Sequence, residues 1–466
     1  MYPPNPFLQL VPARIQAVIE RLRLQLWSTG AVDPGIFASA PQAAHVGFGE
    51  AQKLDLSPIR KFPHYYGKLW DQRWFRLDLP AGPGKRFLRW NDQSEATLFV
   101  DGRAHYGFDV AHRYAPLPKG ARQVWIESVV SQTAVWHPEA RGIDPKGSCL
   151  EGALLVTRNE EAWDVFHDFL VLDDLMRAEL RGAFSGRDTE FYTIGTRPAL
   201  AVVPPLLRRL LRYLDDAANA LDSGGLAAAK TLLNRAFREL PGSGLSPAAL
   251  ATGHAHIDLV WLWPERVGEF KAVHTFATAN RLMDEYPEFQ FAYSQPASYE
   301  AVKRRCPDIW DAAQKRIKEG RWEAQGAMEV ESDTQLACGE ALARSFLVGQ
   351  QGFQALTGKP SSILWLPDVF GYSGCLPQLM RETGVESFFT TKLTWNAINS
   401  FPYSSFIWAG SDGSEVVSHI CQNNGYNQVA SALELRTGAA AHRQCDVHPE
   451  FLAPTGYGDG GGGVTE

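Results

Sequence analysis

Apolar residues at Leu8, Val11, Ile15, Val18, Ile19 and Leu22 recur every three to four positions, which predicts an opening helix across 8–27. The period then drops to two. Trp74-Phe-Arg-Leu-Asp-Leu79, Ala96-Thr-Leu-Phe-Val100, Gln123-Val-Trp-Ile-Glu127 and Ala153-Leu-Leu-Val156 each read as a short strand. Asp101-Gly102 after the second is a hairpin signal, because that pair tolerates the positive φ of a tight turn. Short strands at this spacing predict a β-sandwich over 59–160, following a helical N-terminal segment over 1–58. Helical spacing returns in Asp164–Leu180, Pro204–Leu221 and Leu226–Leu240, so 161–245 reads as a helical linker. Pro241-Gly-Ser-Gly-Leu-Ser-Pro247 is a loop and a domain boundary.

From 246 to 466 strand and helix patterns alternate. Strands are expected at Ala249–His256, Phe289–Tyr293, Trp322–Met328, Ser362–Leu366 and Ser387–Thr391. Helices are expected at Pro264–Tyr286, Ala297–Glu319, Gly339–Leu356 and Leu376–Glu382. Strands separated by helices of this length argue for parallel βαβ units with right-handed crossovers. Those crossovers gather the strand C-termini on one rim, where such folds carry their active sites.

Composition narrows the partners. A net charge of −7 carries no basic excess, which argues against nucleic acid and anionic membranes as partners. No apolar run reaches the roughly 20 residues that span a bilayer, and the N-terminus lacks the pattern of a secretory signal. The six Cys show no CxxC spacing and read as free thiols of a reducing compartment, so a cytoplasmic protein is expected. Fourteen Trp and twenty-five Phe offer aromatic faces that fill cores and also stack on sugars.

Three segments carry chemistry. In His254-Ala-His256-Ile-Asp258, alternate residues of a strand share a face, so two imidazoles and a carboxylate can converge at a strand end. For an arbitrary HxH a pair of structural histidines is the plainer reading; Asp258 and the strand end tip this one toward a divalent metal. An apolar strand also runs through Ile363-Leu-Trp-Leu-Pro367 into Asp368. Taken alone, Asp368 reads as a helix cap. On the rim that carries His256 and Asp258 it becomes a further ligand and a nucleophile. In Gly456-Tyr-Gly-Asp459-Gly-Gly-Gly-Gly463 the glycines suit a linker or a close backbone approach, and no Lys-Ser/Thr follows to make a phosphate loop. A lone carboxylate inside that run makes Asp459 a candidate acid/base. Glu329, Glu331 and Asp333 end another strand, where at least one could meet sugar hydroxyls, and Trp261 could floor a sugar subsite.

Together, Gly253-His-Ala-His-Ile-Asp-Leu-Val-Trp-Leu-Trp-Pro264, Leu364-Trp-Leu-Pro-Asp-Val-Phe-Gly-Tyr-Ser-Gly374, Phe389-Thr-Thr-Lys-Leu-Thr-Trp395 and the glycine loop resemble glycoside hydrolase family 38, the class II α-mannosidases of the cytosolic-type branch. The resemblance covers about 248–466 in the family's order. It implies an α/β catalytic domain over 246–466 that is a partial barrel with a mostly parallel sheet, incomplete at its C-terminus. It implies retaining hydrolysis of terminal α-D-mannosyl residues of mannose-containing oligosaccharides, with one divalent cation, Zn2+ or alternatively Co2+. By position, His256, Asp258 and Asp368 would be metal ligands, Asp368 also the nucleophile, Asp459 the acid/base, Asp333 a sugar contact and Trp261 a stacking platform. The pattern departs from the family at Glu329, where relatives tend to carry Trp, at Ala337-Cys338 and at Val464. The family's fourth ligand, a His beyond the glycine loop, would lie past Glu466, so three ligands, an unclosed barrel and little activity of this chain alone are expected. A homo-oligomer is left open. The competing readings are a strand-end metal hydrolase of the deacetylase type and a sugar-binding protein without catalysis.

Overall fold

The computed structural model describes residues 8–28, 35–82, 84–131, 145–184, 203–241, 247–421 and 425–466. The chain forms two compact units, one of Met1–Gly30, Val156–Ser246 and Ala430–Ala440, the other of Ala31–Leu155, Pro247–Val429 and Ala441–Glu466.

The first unit is helical. Val11–Arg23 presents Val11, Ile15, Val18, Ile19 and Leu22 to one core with Phe169, Leu172 and Met176 of Glu160–Phe184 and Leu207, Leu210, Leu211 and Leu214 of Pro205–Glu239. The last helix is broken at Gly225, whose φ of 76° no helical residue adopts, so the two helical segments expected over 204–240 are both present.

The second unit holds the sandwich and the α/β region. One antiparallel sheet runs in the order Ser57–Pro58, Gly35–Ala38, Gln72–Asp78, Gln123–Val129, Glu95–Val100, Arg103–Phe108. The other pairs Phe87–Asp92 with Tyr114–Pro116 and includes Ser148–Arg158 beside His64–Tyr66. Phe75, Leu77, Trp90, Leu98, Phe108 and Ile126 fill the space between the sheets. Asp101 and Gly102 have φ of 50° and 79°, the hairpin turn that the pair signals. Gly35–Ala38 and Ser57–Pro58 join this sandwich, so strands begin inside the segment expected to be helical over 1–58. Both are short and lie next to one another at an edge, which leaves little alternating pattern to read.

In the α/β region Trp322–Ala324, Phe291–Tyr293, Ala248–His254 and Glu450–Thr455 lie side by side, all parallel. A second sheet runs Ile363–Leu366, Ser387–Thr390, Glu415–Ile420, Ser405–Ala409, with only the last antiparallel. A single parallel bridge, Gly326 to Leu364, links the two sheets on one side. On the other, Leu452 N–H donates to His419 Nε2 at 3.2 Å and Cys421 Sγ donates to the Leu452 carbonyl at 2.9 Å. Trp365, Phe389, Cys421 and Leu452 cluster inside. The arrangement is therefore two parallel-rich sheets that meet at both edges, a loose ring and not a regular barrel. The expected helix over 297–319 is two helices, Pro296–Arg305 and Pro307–Lys318, because Pro307 has no N–H to continue the first and Cys306 takes φ −142°. Glu415–Ile420 and Glu450–Thr455 escape the sequence reading; Pro454 within the latter argues against a central strand.

Candidate functional site

Four side chains from three separate segments converge. One ligand atom each from His256, Asp258, Asp368 and Asp459 lies within 4.8 Å of all the others. His256 Nε2 is 3.3 Å from Asp258 Oδ1 and 3.6 Å from Asp368 Oδ2. A tetrahedral ion with bonds of about 2.1 Å spaces its ligands about 3.4 Å apart, so His256 Nε2 already sits near that spacing from two of the carboxylates.

The local chain explains each placement. The strand Ala248–His254 ends one residue before Ala255, so the period-two alternation stops there. His254 is consequently not part of the group. It packs edge-on against Trp365 and bonds the Ala292 carbonyl at 3.0 Å through Nδ1, and burial lowers it to about 3, a neutral structural histidine. His256 stays buried at 2% exposure and turns to the rim. Asp368 follows Ile363–Leu366 and Pro367, whose carbonyl accepts the Thr391 hydroxyl at 2.6 Å. The nearest helix begins only at Leu376, so Asp368 is not a cap there. Its Oδ2 accepts the Tyr426 hydroxyl at 3.1 Å and its Oδ1 pairs with Lys392.

Asp459 arrives through the glycine loop. It has φ of 60°, its carbonyl accepts the Asp258 N–H at 2.8 Å, and its carboxylate accepts the same Tyr426 hydroxyl that reaches Asp368. Gly456 is required: with φ of 130°, a Cβ there would lie 2.2 Å from the His254 carbonyl. The loop is therefore backbone packed against the strand end and not a linker.

Three further groups enter the site to which sequence reasoning gave no individual role. Glu331 Oε2 lies 3.1 Å from His256 Nδ1, and its Oε1 accepts the Ser294 hydroxyl at 2.6 Å. Burial would lower His256, but Glu331 and Asp258 outweigh it and raise the imidazole to about 10. Lys392, with its ammonium over the Trp395 and Phe370 rings, is lowered by burial to about 8 against the pull of Asp459 and Asp258. Tyr426 is raised by burial and by Asp459, so its hydroxyl stays protonated and donating. Glu331 sits in a run of three acids whose order the sequence does not rank, while Lys392 and Tyr426 carry no local spacing signal.

Four carboxylates, Asp258, Glu331, Asp368 and Asp459, thus surround one imidazole and one ammonium. Asp368 Oδ1 is buried and meets the Lys392 ammonium. The surplus negative charge fits a divalent cation. Beside the group lies a cavity of about 270 Å3 lined by His256, Asp258, Gln295, Glu331 and Asp368.

The other expected residues are placed differently. Asp333 Oδ1 accepts the N–H groups of Gln335 and Leu336 and so shapes its own turn, and Asp333 does not line that cavity. Trp261 is 47% exposed and meets Trp263 edge to face at 5.6 Å. His419, His442 and His448 gather separately around Ser405, whose hydroxyl is 3.0 Å from both His419 Nδ1 and His448 Nδ1. They are not the further metal ligands that a deacetylase-type site needs. No helix among the described residues is long and apolar enough to cross a membrane.

Residues 247–466 match the family described as glycosyl hydrolases family 38 N-terminal domain. Alpha-mannosidase G of Dictyostelium discoideum is 28% identical over 443 residues, 91% of this chain and 39% of its own length. Alpha-mannosidase 2C1 of Homo sapiens is 43% identical over 218 residues, 46% of this chain and 21% of its own. Alpha-mannosidase of Saccharomyces cerevisiae is 39% identical over 215 residues, 46% of this chain and 20% of its own. The chain spans at most 39% of the length of these relatives. The four-residue group, built from the segments that carry the likeness, falls entirely within residues 247–466, the part of the chain that matches the glycosyl hydrolases family 38 N-terminal domain.

Proposed function

We propose that this chain hydrolyses terminal α-D-mannosyl residues with retention, at the site formed by His256, Asp258, Asp368 and Asp459. The observation that carries the reading is the convergence of these four side chains within 4.8 Å, beside a cavity that three of them line, in a part of the chain that matches family 38. Its relatives are named as alpha-mannosidases. His256 Nε2, Asp258 and Asp368 are the candidate ligands, and Asp459, beside them, is left free to act as the acid/base. A Zn2+ or Co2+ ion held there would bind sugar hydroxyls and stabilise charge on a distorted ring.

In this reading Asp368 attacks the anomeric carbon and the bond to the leaving oxygen breaks. Asp459 gives its proton to that oxygen. In the second step water attacks the glycosyl-Asp368 ester, its proton passes to Asp459, and Asp368 is released. Retaining pairs stand about 5–5.5 Å apart and inverting pairs about 6.5–9.5 Å. Ligand atoms of Asp368 and Asp459 within 4.8 Å, sharing the Tyr426 hydroxyl, support retention. Lys392 pairs with Asp368 and the Tyr426 hydroxyl donates to it, which holds the carboxylate in place. Asp333 and Trp261 remain the proposed sugar contacts, with Glu331 orienting His256. Six free cysteines support a cytoplasmic setting.

The test is release of 4-nitrophenol from its α-mannoside by the cation-loaded 466-residue chain. Low turnover that Asp368→Asn removes is expected. Cation and mannose binding with no turnover would overturn the enzymatic reading in favour of a sugar-binding protein.

A further inference from the structure

A buried polar relay leads from the sandwich to the site. Glu95, 1% exposed, opens the strand Glu95–Val100. Both of its carboxylate oxygens accept from Lys271 Nζ at 2.7 Å, and one also accepts the Ser131 hydroxyl at 2.7 Å. Lys271, fully buried in the helix Glu265–Glu285, places its ammonium 4.3 Å from the centre of the Trp263 ring. Trp263, 2% exposed, donates its Nε1–H to the main-chain carbonyl of Asp258 at 2.9 Å. The Asp258 N–H is held from the other side by the Asp459 carbonyl. The residue that carries a candidate ligand is therefore fixed at both its N–H and its carbonyl.

A buried ion pair is a costly way to fill a core, since apolar residues of similar size commonly serve as well or better. Here the pair does something an apolar pair would not. It sets a charge on the face of one indole, and that indole has a single donor, which goes to Asp258. We propose that the sandwich tunes the cation affinity of the site, with Glu95, Lys271 and Trp263 as positioning residues that fix the Asp258 main chain before a cation arrives. The inference rests on the reading of the four-residue group as a cation site. Holding a ligand in its bound geometry removes an ordering cost from binding, which is how residues outside the coordination shell raise affinity.

The test is a Co2+ titration of the full chain followed by visible absorption, with melting of the apo protein alongside. Trp263→Phe keeps an aromatic face and removes the N–H donor. Its apo melting is expected to fall by a few degrees, as for any buried large-to-small change, while Co2+ affinity, read at a temperature where the apo variant is folded, falls about tenfold and the absorption band changes shape. Glu95→Leu with Lys271→Met replaces the pair by apolar groups and is expected to weaken Co2+ in the same direction. Trp310→Phe, which alters a ring under the Lys303 ammonium on another helix, is expected to bind Co2+ as wild type does. If Trp263→Phe matches wild type in affinity and band, the relay is overturned, and that variant decides the matter even if the double variant does not fold. If wild type takes up no Co2+, the cation reading falls and the relay falls with it.

Discussion

His256 and His112 are both buried, both lie against carboxylates and both are raised, His256 to about 10 and His112 to about 9. They differ in how the charge around them is matched. His112 meets one carboxylate, Asp109, at 2.9 Å through Nδ1, and its Nε2 donates to the Val464 carbonyl at 2.8 Å. That pair is closed. Asp109 is lowered, burial notwithstanding, by His112, and each partner satisfies the other. His256 sits among Asp258, Glu331 and Asp368, with Asp459 beside them, and its Nε2 faces two carboxylate oxygens at once. One imidazolium cannot balance that set even with Lys392. A structural histidine is recognised by equality of charge, a site histidine by surplus charge of the opposite sign.

The comparison can be broken at its strongest point. Asp368→Asn is expected to lower mannoside turnover by on the order of 10⁴-fold, the scale seen when a group acting directly in the reaction is lost. Asp109→Asn is expected to act on stability instead: removing one partner of a buried pair costs about 3–5 kcal/mol, read as a lowered melting temperature. Equal effects of the two substitutions on turnover at temperatures where both proteins are folded would erase the distinction.

The closed pair also predicts a pH dependence. His112 has a folded pKa near 9 against 6.5 unfolded, so its contribution is complete below 6.5 and is lost as pH rises through 9. Asp109, lowered from 3.8, contributes above that value and loses its contribution as pH falls below it. These are one interaction seen from its two ends. Melting temperature should therefore fall from pH 6.5 to 9.5 in wild type, and fall less in His112→Gln.

The surplus charge sharpens into a binding prediction. Zn2+ at a hundred times its Kd should stabilise the wild-type chain by about 2.7 kcal/mol, with none of that gain in His256→Ala. Chelation should reverse it. A melting temperature that ignores both Zn2+ and chelator would show the carboxylates to be self-balanced. The smallest expected change is at Glu331, which orients His256 from outside the ligand set. Glu331→Gln should weaken Zn2+ by about 10–100-fold in a competition titration while leaving the fold unchanged.

The sequence by itself determined the residues that meet at the site and much of the scaffold. His256-Ile-Asp258, Asp368 and Asp459 each lie in a short segment whose local pattern, a strand end or a glycine loop, marks the spot. Local pattern also gave the helices of the first unit, the hairpin at Asp101-Gly102 and the early parallel strands, because periodicity and turn chemistry act over a few residues. Tertiary structure decided the rest. That Asp459 joins the group follows from Gly456 packing on the His254 carbonyl, a contact between segments some two hundred positions apart. That His254 stays out follows from where its strand stops. The expected partial barrel is met only loosely, because a lone bridge and the side chains of His419 and Cys421 join the two sheets where no ladder forms. Glu95 and Lys271 are 176 positions apart, and nothing near either one announces the other. A ligand set can be written locally because each side chain needs only the right strand end. The balance of charge around it cannot, since it depends on every segment the fold brings within a few ångströms.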